Sequence, residues 1–189
     1  MENTFDKRKY LLKTLLIFLE TELFGLINVL FFWSMHTIIG KAANIIFGIV
    51  GILLLICVMA DFGLKTGAKF RNQVKLHGAA PCRNFGYTMG LAAMCPSYVF
   101  LGILMISKGG AIGNFLPIFK LLNGCFFPII DMVSHTADIN QAPSALFIIM
   151  AVLPLFYLLS LGMSFRWGYD SVDLKTKIMY KNKNRNKHG

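Results

Sequence analysis

Four runs of apolar residues, 15–39, 44–60, 85–106 and 144–164, are each long enough to cross about 30 Å of hydrocarbon, which takes roughly 20 residues of helix. Lipid offers backbone N–H and C=O groups no partners, so such runs satisfy their own backbone as α-helix. This feature places the 189-residue chain among all-α integral membrane proteins. Composition agrees, since 56% of residues are hydrophobic and 15% are charged, against about 25% charged in a soluble domain.

The formal charge of +10 could suggest a nucleic-acid partner, but its distribution argues otherwise. Sixteen of the nineteen Lys and Arg form three groups that flank the apolar runs. Lys7, Arg8, Lys9 and Lys13 open the chain; Lys65, Lys69, Arg71, Lys75 and Arg83 sit between the second and third runs; Arg166, Lys175, Lys177, Lys181, Lys183, Arg185 and Lys187 close it. Such groups stay on the cytoplasmic side and face anionic headgroups. The lipid bilayer is therefore the expected partner of the charge, and no nucleic acid is needed. The start has a basic flank like a signal peptide's, but its apolar run is too long and no small-residue cleavage site follows, so a retained span is expected.

The same rule fixes the number of crossings. Two runs separate the first basic group from the second, which keeps both inside. Three apolar segments then precede the tail, 85–106, 115–133 and 144–164, and an even number must cross. The exception is the segment "FLPIFKLLNGCFFPIIDMVSH", residues 115–135. Pro117 and Pro128 each remove a backbone donor, Asn123-Gly124 is a turn signal, and Lys120 and Asp131 would each cost about 2.5–3.5 kcal/mol at mid-bilayer. Two short helical pieces, Leu116–Leu122 and Phe126–Val133, are expected to meet at Asn123-Gly124, dip into the outer leaflet and return. The fold expected is four transmembrane helices plus one broken re-entrant or interfacial hairpin on the outer side. Residues 1–170 form one transmembrane domain, and 171–189 form a basic, disordered cytoplasmic tail.

The first run extends from Tyr10 to Ile39, about 45 Å of helix, so its start should lie outside the hydrocarbon. Lys13 and Glu20 share a face, with Thr14 and Thr21 beside them. A span beginning near Glu20 or Glu22 puts both glutamates at headgroup level, where Lys13 or the basic loop pairs with them. They then read as anchors rather than a proton relay, with Asn28 as a further polar group inside the run.

Candidate sites are few. Gly86, Gly90, Ala93 and Ser97 place small residues on one face of the third span, suited to close helix packing within the chain or across a homo-oligomer seam. Pro96 should kink that helix. Asp131, His135 and Asp138, four and three apart, would stack on one face if helix continued through Ser134, and His36 could join them to hold a ligand or ion. The same stretch, "SHTADINQAP", reads equally as a solvated loop. Cys57, Cys82, Cys95 and Cys125 fall singly, which argues against a zinc site or redox pair. No nucleophile elbow, zincin motif, P-loop or dinucleotide fingerprint is present, so neither catalysis nor a cofactor is expected.

The stretches "GAKFRNQVKLHG", with Gly67, Lys69, Arg71, Asn72, Val74 and Gly78, and "LPIFKLLNGCFFPII" after the Gly-rich third span make residues 60–133 similar to functionally uncharacterised small polytopic membrane proteins of Gram-positive bacteria. The resemblance implies a bacterial cell-membrane setting and no activity. The leading expectation is a non-catalytic packing or accessory subunit, associating with itself or a larger membrane partner. The alternative is a subunit of a small-solute or ion transporter or channel, its path lined by the broken hairpin and the Pro96 kink.

Overall fold

A computed structural model describes residues 7–170 apart from residue 79; the basic tail and the outermost N-terminal residues lie outside the described part, as does the side chain of His77. The described residues are helical and contain no strand. Four helices are long and apolar enough to cross a membrane, Lys7–Ile39, Lys41–Leu76, Phe85–Lys108 and Ser144–Tyr169.

Helix α1 (Lys7–Ile39) is unbroken over 33 residues. Its inward face is Thr14, Phe18, Thr21, Glu22, Gly25, Asn28, Val29 and Phe32, at the three- and four-residue spacing that lines one side of a helix. Leu12, Leu16, Leu19, Leu23 and Leu30 point outward and remain exposed. Lys13 and Glu20 are exposed as the charge stripe requires, but the threonines beside them turn inward, each hydroxyl donating to the carbonyl one turn back.

A single residue, Gly40, separates α1 from α2 (Lys41–His77), and its φ of 57° reverses the chain in a region that favours glycine. Helix α2 has 37 residues, about 55 Å of length. The helix outruns the apolar run 44–60, because the basic segment after Asp61 continues as helix to His77 and ends at Gly78 in the left-handed conformation. Two physical reasons account for the difference. No proline interrupts the segment, and its glycines Gly63 and Gly67 pack against Ser164 and Phe165 of the last helix, giving the continued helix a tertiary partner.

Helix α3 (Phe85–Lys108) runs through Pro96 without a break. Its small-residue face is filled within the chain: a side chain at Gly86 would strike the Phe165 ring, one at Gly90 would strike Leu158, and Ala93 and Ser97 are fully buried. The fourth long helix is interrupted at Leu153–Pro154 into α6 (Ser144–Val152) and α7 (Leu155–Tyr169), because Pro154 supplies no N–H. Helix α7 packs against both α2 and α3.

Between α3 and α6 lies the broken hairpin. Helix α4 (Leu116–Leu122) and the piece Gly124–Ser134, comprising a 3-10 turn (Gly124–Phe126) and α5 (Phe127–Ser134), meet at an angle of 100°. Asn123 makes the corner: its Nδ2 donates to Phe119 O at 3.0 Å and its own carbonyl accepts from Phe126 N at 2.9 Å. The limbs are tied by Lys120, whose Nζ lies 2.7 Å from Asp131 Oδ1 and donates to Thr136 O at 3.0 Å. The core runs from Phe70, Phe85 and Phe165 near the Lys7 end, through Met59, Met89 and Tyr157, to Phe126, Ile130 and Leu146 around the hairpin.

Candidate functional site

The hairpin organises two polar groupings with an apolar layer between them. Its tip is inserted between α1 and α2, where glycine makes room for it. A Cβ at Gly124 would lie 2.9 Å from the Gly25 carbonyl carbon and 3.1 Å from Glu22 O, while one at Gly51 would collide with the Cys125 carbonyl oxygen. Backbone approach of this kind is the use of small residues at helix contacts in lipid.

Glu22, near the midpoint of α1, meets this tip. It is 7% exposed and forms no ion pair among the described residues. Its Oε1 accepts a short hydrogen bond from the Tyr157 hydroxyl of α7, and its Oε2 lies 3.4 Å from the Cys125 amide nitrogen, a long contact. The Cys125 thiol turns to Thr21 O at 3.3 Å. Asn123, at the same turn, is fully buried and its Oδ1 has no donor within the described residues. Glu20 is exposed, whereas the expectation that Glu22 pairs with lysine at an interface is corrected: it is buried against the hairpin tip with no ion pair among the described residues. Helical phase is the reason: Glu22 lies one turn from Phe18 and Gly25 on the packed face, whereas Glu20 is rotated away from it.

Toward the Ile39 end, the mouth of the hairpin frames a cavity of about 440 Å³. His36 of α1, Lys41 and Asn44 of α2, and Lys120, Asp131, His135 and Thr136 of the hairpin segment line it. Asn44 fastens the wall by donating from Nδ2 to Pro128 O at 3.1 Å. Three of the four residues singled out as ligand candidates, His36, Asp131 and His135, thus share one cavity. Asp138 does not join them. Helix α5 stops at Ser134 because His135 takes a left-handed backbone (φ 49°), so the four-and-three stacking is lost. Asp138 instead caps the 3-10 turn Ile139–Gln141, its Oδ1 accepting from Asn140 N at 3.0 Å. Among the described residues no three His, Cys, Asp or Glu side chains converge to hold a metal ion.

Val29, Phe32, Ala43 and Phe127, with Phe47 against them, form a separate apolar cluster between the cavity and Glu22. Phe32 is its centre, with ring centroids 5.8 Å from Phe127, 6.3 Å from Phe47 and 5.3 Å from His36. Asn28 borders the layer on the Glu22 side, donating to Phe47 O at 3.0 Å. On the other side of Glu22, Phe18 and Phe126 pack on Tyr157 at 5.3 and 6.0 Å. The carboxyl is thus sealed toward both ends of the bundle. A second cavity, about 480 Å³, opens at the Lys7 end and is lined by Tyr10, Lys13, Phe62, Lys65, Thr66 and Lys69 among others.

Sequence reasoning pointed to Asp131 and His135 through their polar spacing and to His36 as a candidate fourth ligand, found Lys120 only as an obstacle to insertion, and gave no sign of Lys41 or Asn44 as cavity residues. It missed Tyr157 and Cys125, which carry no motif; the signal available was Glu22 standing on the Phe18–Gly25–Val29 face. No family model, curated protein or solved structure matches the chain.

Proposed function

We propose that this chain is a multi-pass protein of a bacterial cell membrane, with basic termini and the α2–α3 connection in the cytoplasm, and that it binds a small anionic solute as a carrier or channel subunit. The observation that carries the reading is the cavity at the hairpin mouth. Lys120 is neutralised there by Asp131, which leaves Lys41 and the imidazoles of His36 and His135 without an acidic counterpart among the lining residues. A site so composed suits a small carboxylate or inorganic phosphate, and Lys41 opens α2, where the helix dipole adds attraction for an anion. In this reading the hairpin is re-entrant: it enters and leaves on the outer side, and irregular backbone at depth is covered by α1 and α2. The cavity at the opposite end, with Lys13, Lys65 and Lys69, faces anionic headgroups.

The accessory-subunit reading keeps one observation in its favour, the dense glycine packing that fills the interior. It loses its intended contact surface, because Gly86, Gly90, Ala93 and Ser97 are already covered by the chain itself. Thermal unfolding of the detergent-solubilised protein in phosphate, acetate, sodium and ammonium separates the two. A ligand that binds only the folded state at 100 times its Kd adds about 2.7 kcal/mol. The expected result is stabilisation by an anion that disappears in the Lys41→Ala, His135→Ala double variant. Equal behaviour of all four solutes, or stabilisation unaffected by the double variant, overturns the anion site.

A further inference from the structure

We propose that Glu22 is a proton-exchanging carboxyl, binding one proton while the hairpin tip is seated and releasing it toward the cavity when the aromatic layer over it parts. The argument begins with its neighbours. From α7 comes the Tyr157 hydroxyl, from the hairpin the Cys125 thiol and amide, and α2 and α3 set no charged side chain against it among the described residues. An ionised carboxylate in apolar surroundings with no countercharge is costly, and a proton is the smallest neutraliser. A purely structural acceptor for Tyr157 would be served as well by Gln, which carries no charge to neutralise. The location adds the second element, since Glu22 touches the irregular backbone at the hairpin tip and so lies where a movement of the hairpin changes its surroundings first.

The step balances simply. The carboxylate takes one proton from hydronium arriving through the cavity, leaving water and the carboxylic acid, and returns the proton to water by the same route, so the buried charge changes by one and no other reactant is consumed. Access requires the Phe32–Phe127 contact to open, because that layer stands between Glu22 and the cavity. The inference stands apart from the anion reading, since it needs the cavity only as a source of water.

Infrared difference spectroscopy of the full chain in lipid vesicles, acid against alkaline, tests it. The expected result is a protonated carboxylic C=O band that titrates reversibly, is absent in Glu22→Gln and is displaced in frequency in Tyr157→Phe, which keeps the ring packing and removes the hydroxyl. In parallel, an apolar carbodiimide should modify Glu22, with a rate falling about tenfold per pH unit above the midpoint, because only the protonated carboxyl reacts. If no titrating band differs between the chain and Glu22→Gln, or if Tyr157→Phe leaves the band unmoved, the inference is overturned. Should Glu22→Gln fail to fold, the Tyr157→Phe displacement decides the question alone.

Discussion

Replacing glycine by alanine at two positions, Gly25 in α1 and Gly102 in α3, should move stability in opposite directions. In a helix interior the exchange gains about 1 kcal/mol from reduced backbone freedom. At Gly102 a new methyl meets nothing within 4 Å, so the gain should appear in full. At Gly25 the methyl would overlap the Cys125 amide nitrogen and stand 2.6 Å from the Gly124 carbonyl carbon and 2.9 Å from Cys125 Sγ. Two of these three obstacles are backbone on a wedged hairpin tip, which cannot rotate aside. Overpacking costs about 1–3 kcal/mol, and the upper end applies where backbone must move. The net loss at Gly25 is then about 2 kcal/mol, and the two variants should differ by about 3 kcal/mol. For a chain of this size that is roughly 6–12 °C in Tm. The assay is thermal unfolding in detergent with the remaining cysteines Cys57, Cys82 and Cys95 changed to serine, accompanied by thiol labelling of Cys125. Gly25→Ala should lower Tm and expose the Cys125 thiol, which is buried in the parent. Equal stability of the two variants with Cys125 still protected would refute the seated-tip geometry.

Two further outcomes follow from packing and charge. Gly86→Leu should destabilise by about 2 kcal/mol or more, because it drives into Phe165, while leaving the mass of the detergent-solubilised particle unchanged; a change of oligomeric state with intact stability in light scattering would instead mark that face as a seam. Asp131→Asn should cost about 1–2 kcal/mol, less than the 3–5 kcal/mol of a fully buried pair, because Asp131 is 36% exposed and Lys120 only 7%. Joint replacement Lys120→Met, Asp131→Leu should restore most of the loss in the same unfolding measurement.

The number of long apolar helices and the corner at Asn123-Gly124 were legible in the sequence because both are written in local chemistry: hydropathy over a window, and turn residues flanked by prolines. The length of α2 was not, since lysines after Asp61 read as the end of a span. Charge marks where lipid ends, and helix continues past that point whenever a partner such as α7 receives Gly63 and Gly67. Glu22 was misread for a related reason. Its distance along the chain from the basic start suggested an interface, but its angular position, one turn from Phe18 and Gly25, determines that it faces the hairpin. Tyr157 could not have been foreseen as its partner, because the meeting joins residues 135 apart in sequence.

That meeting also explains why a broken hairpin is tolerated inside an apolar bundle. A turn at such depth carries backbone groups that helix geometry leaves unpaired, and each needs an acceptor or donor from a neighbouring element. Here Glu22 offers an oxygen to the Cys125 amide nitrogen, Asn44 donates to the Pro128 carbonyl, and Asn28 holds the adjoining wall of α2 through Phe47 O. Glu22 thus faces the irregular backbone of the tip, Asn44 ties α2 to the adjoining helix α5, and glycines at 25 and 51 remove the side chains that would hold the tip off α1 and α2. Of these three supports only the carboxyl can change charge. A hairpin seated by two amides alone would be a fixed plug; with Glu22 in the set, the proposed proton exchange would make its seating energy depend on whether that group carries a proton, and so link the carboxyl to the parting of the Phe32–Phe127 layer between it and the cavity.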